Sequence, residues 1–406
     1  MQFRSHQLEN GLEVIAECNP QAYSTAISYF VRTGARDESA PVAGVSHFLE
    51  HMVFKGTESR SAEDVNRELD ELGSQSNAFT SEEQTVYYCT VLPEYQLPAL
   101  NLLTDVMRPS LRQDDFDMEK QVILEEIAKY ADQPPFGAHE MALALHFGDH
   151  PLHHSVLGTT ESVSALSRDQ MLEYFNRQYS PGNLKLVLAG NVDFDAVVDQ
   201  VERDTKHWTP FDVTRDTPRA VGTGDSKFVR KEMAALDYTI QLYDGPSATD
   251  PTRYAGRVMS TIFGDDNGSR MFWEFIDTGK AEYAVLESCE YQGTGAFLSY
   301  LCCQPSQYDA NIQRIAEMLA DLNETGITND ELELALSKIC SHIVLQSERP
   351  ASRMFSVGAN WLQRGTYHTV RETIDQYKAV TRDDIQNLLT QFKLDRPTTV
   401  SVGPKK

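Results

Sequence analysis

From residue 6 to 32 apolar and polar positions alternate with a period of two. "LENGLEVIAE" places Asn10-Gly11 between two alternating segments, the signal for a two-residue hairpin turn. "AISYFVRTG" follows, rich in β-formers and closed by Gly34, and predicts a strand. The period then lengthens to that of a helix, opened by Pro41 and Val42 and closed by Gly56. "SAEDVNRELDELG" predicts a second helix, with Ser61 and Asp64 in an approximate capping box and Gly73 where a C-cap glycine belongs. "SNAFTSEEQTVYYCTVL" reads as two strands about a polar turn. "PEYQLPALNLLTDVMRP" and "RQDDFDMEKQVILEEIAKYADQP" read as amphipathic helices. After a loop bearing histidine and glycine (146–158), "SRDQMLEYFNRQY" predicts a helix, "LKLVLAGNV" a buried strand and "FDAVVDQVERDT" a helix.

Residues 209–226 are turn-rich and poor in large apolar side chains, which marks an interdomain linker. Beyond it the order of elements repeats. "LDYTIQLYDG" predicts a strand, and "DPTRYAGRVMSTIFG" and "MFWEFIDTG" helices. "EYAVLESCEYQGTGAFLSYLCC" predicts a strand pair. "SQYDANIQRIAEMLADLNETG" and "TNDELELALSKICSHIVLQS" are further helices, and "RDDIQNLLTQF" and "TTVSVG" end the chain as helix and strand. Strand groups followed by helix groups, twice over, predict an α+β fold of two similar halves, residues 1–212 and 213–406. Each half is expected to hold an antiparallel or mixed sheet with helices packed on one face. The repeat is one of element order; no residue identity relates the halves.

Composition changes this picture little. A chain of 406 residues exceeds what one hydrophobic core usually holds, in keeping with two halves. With 41% hydrophobic and 24% charged residues it is ordinary globular material. No run of eighteen apolar residues exists, so no membrane span is expected. The N-terminal stretch lacks a signal peptide's apolar centre, and a cytoplasmic location is expected. None of the six cysteines stands in a C-x-x-C pair, and most lie in strand-like apolar runs as small hydrophobes. The net charge of -24 argues against a nucleic-acid partner. Two readings of the acidity stand. It keeps the protein soluble, or part of it lines a cavity and draws basic peptides, which would then associate faster at low salt.

Chemistry enters with "VSHFLEHMVFKGT", Val45 to Thr57. On a helix His47 and His51 lie four apart on one face and can offer two imidazole nitrogens to one Zn²⁺. Glu50 flanks that position, where a carboxylate can take a proton from an activated water. H-x-x-E-H is the inverzincin order. Two histidines and a glutamate among apolar residues would also be costly to bury without a metal or partners. A catalytic zinc site needs a third protein ligand. "FDMEKQVILEEIAKY" offers Glu119, Glu125 and Glu126; the first and last stand seven apart on one face, and Glu125 points about a third of a turn away. The competing reading of these glutamates is a solvated helix face.

These segments together resemble the inverted-motif zinc peptidases that include pitrilysin, insulin-degrading enzyme and the mitochondrial processing peptidase. The likeness is closest to the small processing-peptidase-like branch. It rests on "GVSHFLEHMVFKGT", "EKQVILEEI", "GSQSNAFTSEEQTVYY" and "HPLHHSVLGTTESVSALSRDQMLEYFNRQYSPGNLKLVLAGNVD". The resemblance implies the LuxS/MPP-like metallohydrolase fold and one Zn²⁺ per chain, held by His47, His51 and Glu126. It further implies Glu50 as base, Glu119 as a second carboxylate supporting the site, and a substrate-binding strand carrying Asn77, Ala78 and Phe79. It places "HPLHHSVLG" in a loop, so that His146, His150, His153 and His154 are expected to be solvated or structural rather than a second metal site. In the family's C-terminal half an arginine and, seven residues later, a tyrosine reach the substrate; Tyr283 matches, but Ile276 stands at the arginine position. Arg270 is expected to play a packing role. The implied activity is endoproteolysis of peptides or unfolded segments, by a homodimer or by a heterodimer with a related subunit. The alternative is a non-catalytic or partner-dependent core subunit.

Overall fold

The two predicted strand groups each form one sheet in the computed structural model, which describes residues 1–404. The chain begins β1 (Gln2–Gln7), β2 (Glu13–Cys18), β3 (Thr25–Val31), α1 (Val45–Val53), α2 (Ala62–Glu71), β4 (Gln75–Thr80) and β5 (Thr85–Val91). It continues α3 (Gln96–Val106), α4 (Gln113–Asp132), α5 (Ala138–Phe147), α6 (Thr160–Ala165), α7 (Arg168–Gln178), β6 (Leu184–Gly190) and α8 (Phe194–Thr205). After an irregular stretch from 208 to 225 come β7 (Ser226–Arg230), β8 (Asp237–Gly245), α9 (Arg253–Gly264), β9 (Tyr283–Glu290) and β10 (Gly295–Cys303). The last elements are α10 (Tyr308–Thr325), α11 (Asn329–Ser347), α12 (Pro350–Arg364), α13 (Val370–Lys378), α14 (Arg382–Gln391) and β11 (Thr398–Gly403).

The turn between β1 and β2 has three residues rather than the predicted two. Leu8 N–H donates to Leu12 O (2.9 Å), Gly11 takes φ 87°, and Asn10 Oδ1 accepts from Leu12 N–H. This is a turn closed by a left-handed residue, a position suited to glycine. "MFWEFIDTG" forms only a short π-turn segment at Phe272–Ile276.

Two compact units result, and they are not the two linear halves. The first comprises residues 1–128, 154–215 and 346–367; the second takes 129–153, 216–345 and the chain from 368 on. In the first unit the sheet order is β1-β2-β6-β3-β5-β4, with β2 and β6 parallel and the other pairs antiparallel. One face packs on α1, α3, α7 and α8 through Ile27, Tyr29, Val31, Leu186 and Leu188. The other face is covered too, by α12. Met354, Val357 and Leu362 meet Phe30, Val86, Val187 and Ala189. A Cβ at position 358 would stand 2.3 Å from the Phe30 ring, so this close approach requires Gly358. Arg353 anchors the helix through a buried ion pair with Glu17.

The second unit repeats the plan with one strand fewer, in the order β7-β11-β8-β10-β9. β7 and β11 are parallel and the rest antiparallel. Helices α9, α10, α11 and α14 pack one face, and α5 covers the other with Ala138, Ala142, Leu143 and Phe147. Each sheet is thus closed by one helix remote in sequence from its own helix group. Among the described residues no helix is long and apolar enough to cross a membrane.

Candidate metal centre and active site

Helix α1 starts after Gly44, whose φ of 91° is left-handed and whose Cβ, were there one, would stand 2.7 Å from Leu157 O. No side chain at the N-cap can serve the first N–H groups, and the buried Glu38 does so instead. Its Oε2 accepts from Gly44 N–H (2.6 Å) and its Oε1 from Ser46 N–H (2.8 Å), an acid at a helix N-terminus. Val45, Phe48, Leu49, Met52 and Val53 are fully buried in the first unit's core. Phe48 stacks on Phe116 of α4 with centroids 4.7 Å apart, which sets the two helices side by side.

The opposite side of α1 carries the polar set. His47 Nε2 and His51 Nε2 each lie 3.8 Å from Glu126 Oε2, and the three side chains form the one group of metal-type ligands among the described residues, within 4.8 Å of one another. Glu119, one helical repeat before Glu126 on α4, accepts a hydrogen bond from His51 Nδ1–H at 2.8 Å and receives Lys55 Nζ at 2.5 Å on its other oxygen. That bond fixes the tautomer of the neutral His51 ring, whose Nε2 lone pair then faces Glu126. Glu119 therefore orients His51 and is not itself one of the three. Glu50 turns toward β4, where Thr80 Oγ1 donates to its Oε2 at 2.6 Å.

The electrostatics suit metal capture and proton transfer. Burial, with the neighbouring His51, pushes His47 down to about 4, so its imidazole is neutral. Burial also works to lower His51, but the Glu119 hydrogen bond and the surrounding carboxylates outweigh it and raise the imidazole. Burial raises Glu50 from the ordinary carboxylate value, against the opposing Thr80 bond, the direction that suits a proton acceptor. The His51 hydrogen bond, joined by Lys55, outweighs burial and lowers Glu119.

Strand β4 is the sheet's free edge. Ser81 N–H donates to Gln84 O, so residues 75, 77 and 79 hydrogen-bond to β5 while Ser76, Ala78 and Thr80 aim their backbone groups outward. Ala78 and Thr80 share the face of α1. Asn77 and Phe79 lie on the α12 face, with the Phe79 ring 5.9 Å from Phe355, and Asn77 Oδ1 turns back to accept from Ala78 N–H (2.9 Å). Of the three expected substrate contacts only Ala78 has both its side chain on the site's face and its backbone groups on the open side of the edge, its N–H being taken by Asn77 Oδ1. Thr80, Lys55 and Glu38 were not singled out in the sequence. Strand alternation pairs Thr80 with Ala78; nothing local points to Glu38.

Tyr283 belongs to the second unit, where it opens the edge strand β9 with its ring 5.3 Å from Tyr300. Ile276 packs against that unit's core, and Arg270 pairs with Glu331 (2.7 Å) and Gly326 O (2.9 Å), the packing role expected of it. Two histidines of the 146–154 cluster are tied to protein groups. His146, on α5, bonds Thr398 Oγ1 (3.0 Å), and His150 bonds Pro218 O (3.1 Å).

Residues 13–160 match the family model of insulinase, peptidase family M16, and residues 165–339 that of the peptidase M16 inactive domain. An uncharacterized zinc protease of Mycobacterium leprae (strain TN) is 33% identical over 98% of this chain and 91% of its own length. The chain belongs to the insulinase family, M16. Another relative, the uncharacterized zinc protease YmxG of Bacillus subtilis (strain 168), is 30% identical over 99% of this chain and 98% of its own. Among solved structures, a protease from Helicobacter pylori superposes with a TM-score of 0.92 at 21% identity, covering 99% of both chains. A peptidase M16 inactive domain from Pseudomonas fluorescens gives 0.93 at 16%, covering 100% of this chain and 98% of that one. These two likenesses establish the fold. Within the M16 assignment, the insulinase match contains His47, Glu50, His51 and Glu126, and the inactive-domain match contains Ile276 and Tyr283.

Proposed function

We propose that this M16 chain is a zinc-dependent endopeptidase that cleaves peptides or unfolded segments. The observation that carries the reading is the convergence of two imidazole nitrogens and a carboxylate oxygen beside a fourth group, Glu50, that is not needed as a ligand. The donor set fits zinc. Ligands at about 2.0–2.1 Å in tetrahedral array stand roughly 3.4 Å apart; here the two histidine–Glu126 separations are 3.8 Å and all three donor atoms lie within 4.8 Å, a set that side-chain rotation would close on the ion. His47, His51 and Glu126 would hold the ion, which when bound supplies Lewis acidity at the scissile carbonyl. Glu50 takes a proton from the attacking water and passes it to the leaving amine nitrogen. Glu119 and Lys55 hold His51 in place. A substrate strand adds to the free edge of β4, where main-chain bonding tolerates many sequences.

A second reading, a partner-dependent or non-catalytic subunit, is favoured by one observation: Ile276 packs against the second unit's core and presents no cation. Zinc content, mass in solution and cleavage of a quenched peptide, measured on the same fractions of the purified chain, separate the two. One zinc per chain with turnover supports the endopeptidase. Zinc without turnover, restored by a related subunit, supports the second reading.

A further inference from the structure

We propose that Thr80 is a positioning residue that ties the free edge strand to Glu50 and holds that carboxylate in one orientation for proton transfer. The inference rests on Glu50 acting as the base. Thr80 ends β4, with its backbone groups on the open side of the edge and its side chain on the α1 face. Its single hydroxyl proton has two acceptors in reach, Glu50 Oε2 at 2.6 Å and Thr85 Oγ1 at 3.5 Å. The short, charge-assisted bond to Glu50 wins. Thr85 Oγ1 in turn donates to Thr33 O at 3.0 Å, so the pair is ordered in one direction.

The anchor is stiff. A β-branched side chain has few χ1 wells, and the strand backbone fixes which one is filled. The turn just beyond Thr80 is stapled from both sides: Ser81 N–H to Gln84 O (2.8 Å), Ala35 N–H to Ser81 O (3.2 Å) and Arg36 N–H to Glu82 O (2.8 Å). Thr80 thus stands at the rigid end of an otherwise open edge. With Oε2 engaged, Glu50 is held by one oxygen. Oε1 accepts no hydrogen bond among the described residues and is left to work. There the water O–H bond breaks as Oε1–H forms; later Oε1–H breaks as the N–H of the leaving amine forms. A substrate strand lying on the edge and the base acting on it would share this one residue, so register on the edge and aim of the base are set together.

The test uses the full zinc-loaded chain with Thr80→Val, which keeps shape and removes the hydroxyl, and Thr80→Ser, which keeps the hydroxyl. Misaiming a catalytic group by a fraction of an ångström to one ångström lowers rates by about ten- to a hundredfold. Thr80→Val should therefore lose about that much in kcat, with KM and zinc content changed less than about twofold, and Thr80→Ser should recover most of it. Full kcat in Thr80→Val overturns the inference. So does a loss shared with zinc content or melting temperature that Thr80→Ser does not rescue, which would mark packing. A crystal structure of Thr80→Val adds a readout independent of activity. Glu50 should leave its wild-type rotamer; an unmoved Glu50 overturns the inference even if no substrate is ever cleaved. A wild-type chain that binds zinc but never turns over would instead defeat the endopeptidase reading.

Discussion

The two units share strand order and pairing. β2, β6, β3, β5 and β4 in the first correspond in topology to β7, β11, β8, β10 and β9 in the second. They differ in what the helix after the central strand does. In the second unit α9 is pressed onto the edge strand: a Cβ on Gly264 would stand 2.1 Å from Leu286 N, and Val258, Met259 and Phe263 fill the space as core. In the first unit α1 turns His47, Glu50 and His51 toward α4 and β4, and a single polar bond, Thr80 to Glu50, reaches the edge strand. One scaffold yields a core or a site according to whether that helix closes down on the edge. The polar version is partly satisfied within the chain: Glu119 takes His51, Lys55 takes Glu119, and Glu38 caps the helix, whereas the buried His47 Nδ1 finds no hydrogen-bond partner among the described residues.

The largest effect is expected from removing the proposed third ligand. Glu126→Ala should lower zinc affinity by more than about a hundredfold, since even supporting residues are worth about ten to a hundred. Glu125→Ala, one residue away and outside the ligand group, should be silent in metal content. Dialysis against graded chelator followed by metal analysis checks both, and reversed results would move the α4 face by one residue. Glu119→Ala comes next. It frees the His51 ring and should weaken zinc binding by about ten- to a hundredfold, with Glu126 still in place.

The second unit gives smaller effects. Ile276→Arg puts a cation where an apolar side chain packs, and should lower stability by about 1–3 kcal/mol without raising kcat. A rise in kcat with unchanged melting would show that the position serves the reacting carbonyl. The smallest effect concerns the first residue of each central strand. Thr25 Oγ1 in the first unit donates to Asn191 O at 2.7 Å, whereas the buried Asp237 Oδ1 in the second finds no partner. Burial, with Asp309 nearby, pushes the Asp237 carboxyl from its ordinary 3.8 up to about 6. Folding therefore favours the protonated form. Its contribution is fully present below 3.8 and lost as pH rises through about 6. Asp237→Asn should melt higher than wild type at neutral pH and lose that advantage in acid; melting curves across this range decide it.

The strands, the H-x-x-E-H helix and the duplication are legible because each is written in local periodicity. His47, His51 and the choice of Glu126 over Glu125 follow from helical spacing together with the family likeness. The helices that close the second face of each sheet were not read. "AHEMALALHF" and "PASRMFSVGANWLQR" are covered by sheets far away in sequence, and local periodicity cannot name a remote partner. For the same reason a division at 212/213 does not describe the units, which exchange residues 129–153 and 346–367. The family likeness marks Phe79 together with Asn77 and Ala78, but strand alternation sends its ring to Phe355 on the opposite face.

The central claim is that α1 carries both a metal site and a base distinct from it. Glu50→Gln tests this most directly, because the amide keeps the shape and cannot take a proton. Turnover of a quenched peptide and zinc content should be measured on the same preparation. The expected result is one zinc per chain, as proposed for wild type, with hydrolysis reduced by about a thousandfold or more. Substantial turnover by a zinc-loaded Glu50→Gln chain would contradict it.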